Sequence, residues 1–300
     1  MDGIPPAPGA VPLALAVDIG GTKLAVGLVD PGGRLLWSAQ GPTPPAGSAA
    51  EVWGALEDLL QRAPDDGRPG LCGVGCGGPM TGRGDAVSPL NIPGWRDFPL
   101  RSRLVECTGL PTSVDNDAKA LALAEGWCGA AVGVADYISL VVSTGVGGGL
   151  VVDGRLLDGE DGNAGHVGHV IVEPDGHLCG CGAIGCLEAE ASGTAIARIT
   201  GAAPADAPPA VRARTGMLVG RGVASVANLL DLALATVAGS VALGFGDTFF
   251  QAAQAEIDAR CRLDHSRGCR IVPSGLAAEG PLVGAAAVGY RAAGLLVSVR

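Results

Sequence analysis

The run HVIVEPDGHLCGCGAIGCLE, residues 169–188, gathers three of the nine cysteines and two of the four histidines of the chain. Cys179-x-Cys181-x4-Cys186 with His169 upstream offers three sulfurs and one nitrogen, a set that suits tetrahedral Zn2+. Such a set leaves no coordination position open, so the ion would be structural and would organise a loop. His166 and His177 are competing nitrogens that spacing leaves open. Disulfides fit poorly, because three cysteines are an odd set and a Cys-x-Cys pair is too close for an unstrained mutual bridge. Nine cysteines without a visible signal peptide point instead to a reducing cytoplasm. The other six read as small buried hydrophobes.

Two glycine turns, Gly20-Gly21-Thr22 and Ser143-Thr144-Gly145, each follow an apolar run. Exposed backbone N–H groups in such turns can surround phosphate oxygens, and a missing Cβ permits close approach. Thr22 and Thr144 add hydroxyl donors. Either turn alone reads best as an ordinary hairpin turn. Asp18 adds a carboxylate at the end of an otherwise apolar strand, placed to hold Mg2+, often through water. VDNDAKALALAEG (114–126) sets three polar residues at a strand-to-helix junction. On this stretch alone, capping of the helix by Asp115 or Asp117 is the simpler reading. The functional reading makes Asp117 a general base, stabilised as the anion near a helix N-terminus, and Asn116 a hydroxyl-binding amide.

Two motifs are absent or false. No G-x-x-x-x-G-K-[ST] occurs, which excludes a P-loop. Gly73-x-Gly75-x-x-Gly78 fits the dinucleotide pattern, but Pro79 follows at once and no helical pattern opens there.

The elements that must position these residues are legible in outline. Residues 13–30 are two apolar runs around a Gly-Gly turn and predict a hairpin, with a third strand entering at 31–36. Residues 49–60 carry Val52, Leu56, Leu59 and Leu60 at helical spacing. Residues 71–79 read as a buried strand ending in a glycine turn, 113–115 as the end of a short strand and 118–126 as helix. From Asp136 the strand, glycine turn, strand, turn series begins again. This doubling predicts two α/β lobes, residues 13–132 and 133–300, with a ligand cleft between them. Residues 1–12 read as a loose tail, and the apolar stretch 225–250 as a buried helix followed by a buried strand.

Composition narrows the function classes. Hydrophobic residues make up 48% of the 300 but aromatics only 3%, so the core must be built from Ala, Val and Leu. The net charge of -10 argues against nucleic acid or an anionic membrane as the main partner. The polar residues and glycines inside 225–250 argue against a membrane span.

Over nearly its whole length the sequence resembles the ROK group of sugar kinases and repressors. The carriers are DIGGTK (18–23), PLNIPGW (89–95), DNDAKALALAEG (115–126), STGVGGG (143–149), GHVGHVIVEPDGHLCGCGAIGCLE (165–188) and GPLVGAAAVG (280–289). The zinc segment is specific to that family; the glycine turns are not. The resemblance implies an actin-like (ribonuclease H-like) α/β fold of two lobes closing on ATP and a hexose. It implies ATP with Mg2+ at Asp18, Gly20, Gly21, Thr22, Lys23, Thr144 and Gly145, and adenosine near Gly239, Ser240 and Gly284. Asp117 matches the catalytic base that deprotonates the sugar 6-hydroxyl. Asn116, His169 and Glu188 match sugar-binding residues, and the backbone at Gly77 and Gly78 passes close to the sugar. His169 would both ligate zinc and face the sugar. Homo-oligomers, dimers or tetramers, are expected of the family.

Three departures from the family pattern stand out. Gly165-His166-Val167-Gly168-His169 replaces the usual Gly-Glu-x-Gly-His, so that His166 occupies the place of a sugar-binding carboxylate. Lys119, one of two lysines beside eighteen arginines, stands where a small or amide side chain is more usual; on sequence alone it reads as a solvent-facing helix lysine. The stretch 189–238 looks shorter than the family norm, as if a linking helix were missing. The expectation is a cytoplasmic ATP-dependent hexose 6-kinase, with glucose as substrate and an N-acetylhexosamine (N-acetylglucosamine or N-acetylmannosamine) as the alternative. A sugar-responsive regulator is the rival from another class. The family's regulators carry an N-terminal helix-turn-helix domain, and only about a dozen residues precede the first strand here. A sugar-binding protein without turnover is the third reading, motivated by His166.

Overall fold

The two apolar runs at the start of the chain pair as antiparallel strands β1 (Ala14–Ile19) and β2 (Lys23–Val29), and β3 (Leu35–Pro42) extends the sheet on the far side of β2. The computed structural model describes residues 11–64 and 68–296. Helix α1 (Ala49–Leu60) begins at Ser48, whose hydroxyl and backbone form a capping box with Glu51. Strand β4 (Leu71–Cys76) pairs parallel with β1, and a short hairpin follows it, β5 (Met80–Thr81) and β6 (Ala86–Val87). After α2 (Leu100–Thr108), β7 (Thr112–Asn116) pairs parallel with β4 and runs straight into α3 (Asp117–Cys128). The sheet order is β3-β2-β1-β4-β7.

The same order returns in the second half. Strands β8 (Tyr137–Val142), β9 (Val146–Val152) and β10 (Arg155–Leu156) form an antiparallel meander. Helices α4 (Leu187–Ala191), α5 (Gly193–Thr200) and α6 (Pro209–Leu230) follow. Then come β11 (Leu234–Ala238), α7 (Ser240–Phe245), α8 (Asp247–Arg260), β12 (Arg270–Pro273) and α9 (Gly280–Ala292). Here the sheet order is β10-β9-β8-β11-β12, with β8, β11 and β12 parallel. The doubled layout expected from the glycine turns is thus present strand for strand.

The described residues divide into two units. One takes those up to Cys128, Asp158–Asn163 and those from Ala278 onward; the other takes Gly129–Leu157 and Ala164–Ala277. The expectation of a single crossing at 132/133 lacked the excursion at 158–163 and the return of α9 to the first unit. The reason for that return lies in side-chain bulk. Leu15, Val17 and Ile19 of β1 pack with Val52, Leu56 and Leu59 of α1, whereas Ala14 and Ala16 meet Leu282, Ala285 and Tyr290 of α9. A side chain on Gly73 would stand 2.0 Å from the Ala285 carbonyl oxygen, so α9 lies directly on the β4 backbone. Of the expected tail at 1–12, residues 1–10 lie outside the described residues, and the Pro12 carbonyl accepts the Tyr290 hydroxyl at 2.8 Å.

In the second unit α6 and α8 pack backbone to backbone. A Cβ on Gly216 or Gly220 would stand 2.2 or 2.3 Å from the carbonyl oxygens of Phe249 and Ala253. The expectation for 225–250 is corrected in part: α6 ends at Leu230, a five-residue strand follows, and the chain is helical again from Ser240. Val241, Phe245 and Phe249 are buried at a spacing of four residues, a helical period that competes with a strand reading. No described helix is long and apolar enough to cross a membrane.

Candidate active site

In the first unit the predicted residues meet at the carboxyl ends of the parallel strands, where open α/β sheets bind ligands. Register sets Asp18 of β1 opposite Gly75 of β4, and Gly75 opposite Asp115 of β7. A Cβ on Gly75 would lie 3.6 Å from the Asp117 Cα and 3.8 Å from Asp18 Oδ1, so the absent side chain leaves the space between these two aspartates. A Cβ on the next glycine, Gly77, would lie 3.6 Å from the Pro89 Cβ, and one on Gly78 would lie 3.9 Å from Asn116 Nδ2. Gly21 is pressed on Asn91, whose Cβ a side chain there would meet at 2.3 Å. Thr43 fastens this turn by donating its hydroxyl to the Gly20 carbonyl at 2.6 Å, while Gly20 N donates to Lys23 O at 2.9 Å.

Capping at the β7–α3 junction falls to Asn116 rather than to Asp115 or Asp117. Its Oδ1 accepts from Ala118 N at 3.0 Å and from Lys119 N at 3.3 Å. Asp117 also accepts from the adjacent Ala118 N at 2.8 Å and remains exposed to solvent. Asp115 turns to Lys119, 2.9 Å away. The asparagine therefore orients the first turn of α3, and the aspartate beside it presents a carboxylate at the positive end of the helix.

Asp18 is buried, and burial first, then the negative charge of Asp117, pushes its carboxyl up to about 7, with Lys23 opposing the shift. Two carboxylates at one strand end, with a single lysine nearby, form a place where a divalent cation would relieve repulsion.

In the second unit the matching strand ends are those of β8 and β11. Gly239, at φ 99°, has no room for a side chain: a Cβ would stand 2.3 Å from Val142 O. Ser240 Oγ and Ser143 Oγ are 3.1 Å apart. The Thr144 carbonyl accepts from Thr194 N at 3.2 Å and Thr194 Oγ1 at 3.0 Å. Ser143, Thr144, Thr194, Pro204, Ser240 and Phe245 line a cavity of about 560 Å3, large enough for a nucleoside. Glu188 Oε2 accepts from Val146 N at 3.0 Å and occupies the space a side chain on Gly145 would need. Gly284, expected near the adenosine, is packed between helices. It belongs to the first unit, buried in α9, where a Cβ would stand 2.8 Å from the Ala120 backbone. It is a helix-packing glycine.

His169, Cys179, Cys181 and Cys186 come together, with one ligand atom from each lying within 4.8 Å of all the others. His169 Nδ1 is 3.7 Å from Cys179 Sγ, and Cys181 Sγ is 3.7 Å from Cys186 Sγ. A tetrahedron with metal–sulfur bonds of ~2.3 Å has edges of about 3.8 Å, so the four fit one ion. Burial first, then the neighbouring thiols, pushes the Cys186 thiol up, whereas hydrogen bonds, first from the Ala183 backbone and then from Cys179, hold the exposed Cys181 thiol below its ordinary value. The competing nitrogens separate. His177 is bound to Glu190, its Nδ1 2.8 Å from Oε1. His166 is exposed, its ring centroid 6.2 Å from that of His169.

Sequence reasoning missed Glu190 and Arg214. Burial pushes the Glu190 carboxyl up, but hydrogen bonds from Arg214 and His177 outweigh it and hold the group below its ordinary range. A signal was available: a carboxylate two residues after Glu188, on a helix otherwise made of Leu and Ala, asks for a partner.

The ROK family model matches residues 14–291. An N-acetylmannosamine kinase of Yersinia pestis is 38% identical over 250 residues, 77% of this chain and 84% of that protein. The crystal structure of a ROK hexokinase from Thermus thermophilus matches with a TM-score of 0.80 at 36% identity, covering 94% of this chain and 99% of that one. A ROK family glucokinase from Streptomyces griseus, in complex with glucose and AMPPNP, matches with a TM-score of 0.80 at 30% identity, covering 93% and 99%. The actin-like α/β fold that the resemblance implied is the fold found.

Proposed function

The chain belongs to the ROK family, and from that membership we propose that it is a sugar kinase transferring the terminal phosphoryl group of ATP to a hexose 6-hydroxyl. The observation that carries this reading is the exposed Asp117 carboxylate at the head of α3, beside the capping Asn116 and the side-chain-free backbone of Gly75 and Gly78. Asp117 accepts the hydroxyl proton as the sugar oxygen attacks phosphorus. Asn116 Nδ2 and the backbone at Gly77 and Gly78 position the sugar. Phosphate oxygens take backbone N–H groups of the turns at Gly20–Thr22 and Thr144–Gly145, with Lys23 as a further donor, and adenosine takes the cavity lined by Ser240 and Phe245. Asp18 would hold Mg2+, which would supply neutralisation of the phosphate charge.

Zn2+ suits the Cys3His set and would be structural, since all four positions are protein ligands. His169 and Glu188 then shape the sugar side of the second unit. Assembly as a homo-oligomer belongs to the same family reading.

N-acetylmannosamine is the sugar best supported, and glucose is the second reading. The Yersinia relative is named for the former. His166 points the same way, because a neutral imidazole can donate to an acyl carbonyl, whereas a carboxylate there would only accept. The Streptomyces neighbour, with glucose bound, supports the second reading. Coupled ADP release over a panel of hexoses and N-acetylhexosamines tests the proposal. Sugar-dependent turnover is expected with N-acetylmannosamine above glucose; sugar binding without ADP release would show a sensor or binding protein instead.

A further inference from the structure

The cysteine loop is fastened at a second place, away from its thiols. Glu190, on α4 and 1% exposed, takes His177 N at 2.6 Å and His177 Nδ1 at 2.8 Å on Oε1. Its Oε2 takes Arg214 Nη2 of α6 at 2.6 Å, and Arg214 Nη1 reaches the Glu190 carbonyl at 3.3 Å. A Cβ at position 176 would stand 2.4 Å from Oε1, so the carboxylate reaches the loop only because residue 176 is glycine. His177 lies two residues before Cys179.

We propose that Glu190 is a positioning residue for the metal centre: with Arg214 it presets the loop so that Cys179 stands beside His169 before an ion arrives. The inference rests on reading the Cys3His cluster as a metal site. A loop that must be ordered by its ion loses backbone and side-chain entropy at the expense of the binding free energy. A loop already pinned at His177 spends less, so affinity rises and release slows. His169, and not His177, is the histidine whose ring nitrogen lies within 4.8 Å of all three sulfurs. Glu188 and Glu190 project differently from one short helix, Glu188 to Val146 N and Glu190 to the loop. A shift of α4 would therefore reach the Gly145 turn and the cysteines together.

The test uses full-length protein, its zinc content, zinc release to a chromogenic chelator and the visible spectrum of the Co2+-loaded form. Wild type should hold one zinc per chain. Glu190→Gln should weaken zinc binding ~10-fold or more, the scale of losses seen when outer-shell partners are removed, with correspondingly faster release. His177→Ala, a change at a half-exposed side chain that leaves no buried charge unpaired, should release zinc several-fold faster with an unchanged Co2+ spectrum. Wild-type release rates in both variants would overturn the positioning role. An altered spectrum in His177→Ala would make His177 a ligand and overturn it as well. Absence of zinc from wild type would instead remove the metal reading beneath it.

Discussion

Lys119 Nζ lies 3.1 Å from Oδ1 of Asp158, thirty-nine residues further along the chain, and both residues belong to the first unit. The same ammonium is 2.9 Å from Asp115 Oδ1 and donates to the Gly162 carbonyl at 3.0 Å. Arg291 Nη2 of α9 reaches Asp158 Oδ2 at 2.7 Å. Lys119 is thus 2% exposed rather than the solvent-facing helix lysine its position suggested. Burial pushes the Asp158 carboxyl up, but Arg291 and Lys119 outweigh it and hold the group below its ordinary value. The cluster fastens the 158–163 excursion to α3 and α9.

Lys119→Met keeps the apolar stem, which lines a cavity of about 350 Å3, and removes only the charge. Breaking one partner out of a buried ion cluster costs about 3 kcal/mol. Urea unfolding should register a loss of that order. A loss under about 1 kcal/mol would mean that water already screens the cluster.

Asp18 predicts a pH dependence of stability. Its folded value, about 7, stands above the ordinary 3.8, so the folded state binds the proton more tightly. The stability this confers is complete below pH ~4 and is lost as pH rises toward ~7, by up to about 4 kcal/mol. Asp18→Asn should flatten the profile, and so be relatively more stable at pH 8 than at pH 4. Urea titrations of both proteins in magnesium-free buffer check this; parallel profiles would place Asp18 in a solvated setting.

Much of this was readable in the residues. Apolar strands flanking glycine turns are local signals, and the repeat of one such unit pointed to two α/β units, whose sheets prove to share one strand order. Cys179, Cys181 and Cys186 converge with His169, one of the three histidines that spacing left open. What escaped the sequence depends on distant packing. That α9 lies on β4 follows from Gly73 meeting Ala285, and that it lies on α3 from Gly284 meeting Ala120, contacts that none of these segments announces. Asp158 became the partner of Lys119 only through the chain's excursion at 158–163. His177 and His166 lie near the cysteines in sequence, as His169 does, and only the fold brings the His169 ring to the three sulfurs.

His166→Glu should exchange a donor for a charged acceptor. Charge-assisted hydrogen bonds are roughly twice as strong as neutral ones, so KM for glucose should fall about fivefold while KM for N-acetylmannosamine rises. Steady-state kinetics with both sugars give the answer. Unchanged values would turn His166 away from the sugar.

Asp117→Asn bears most directly on the central claim. The change removes the proton acceptor and leaves the Asn116 cap of α3 in place. Turnover, followed by ADP release at saturating sugar and ATP, should fall at least ~100-fold, the scale of general-base catalysis, while sugar affinity by calorimetry stays within a few-fold of wild type. Near-normal turnover in Asp117→Asn would contradict the account and reduce Asp117 to a residue of the helix start.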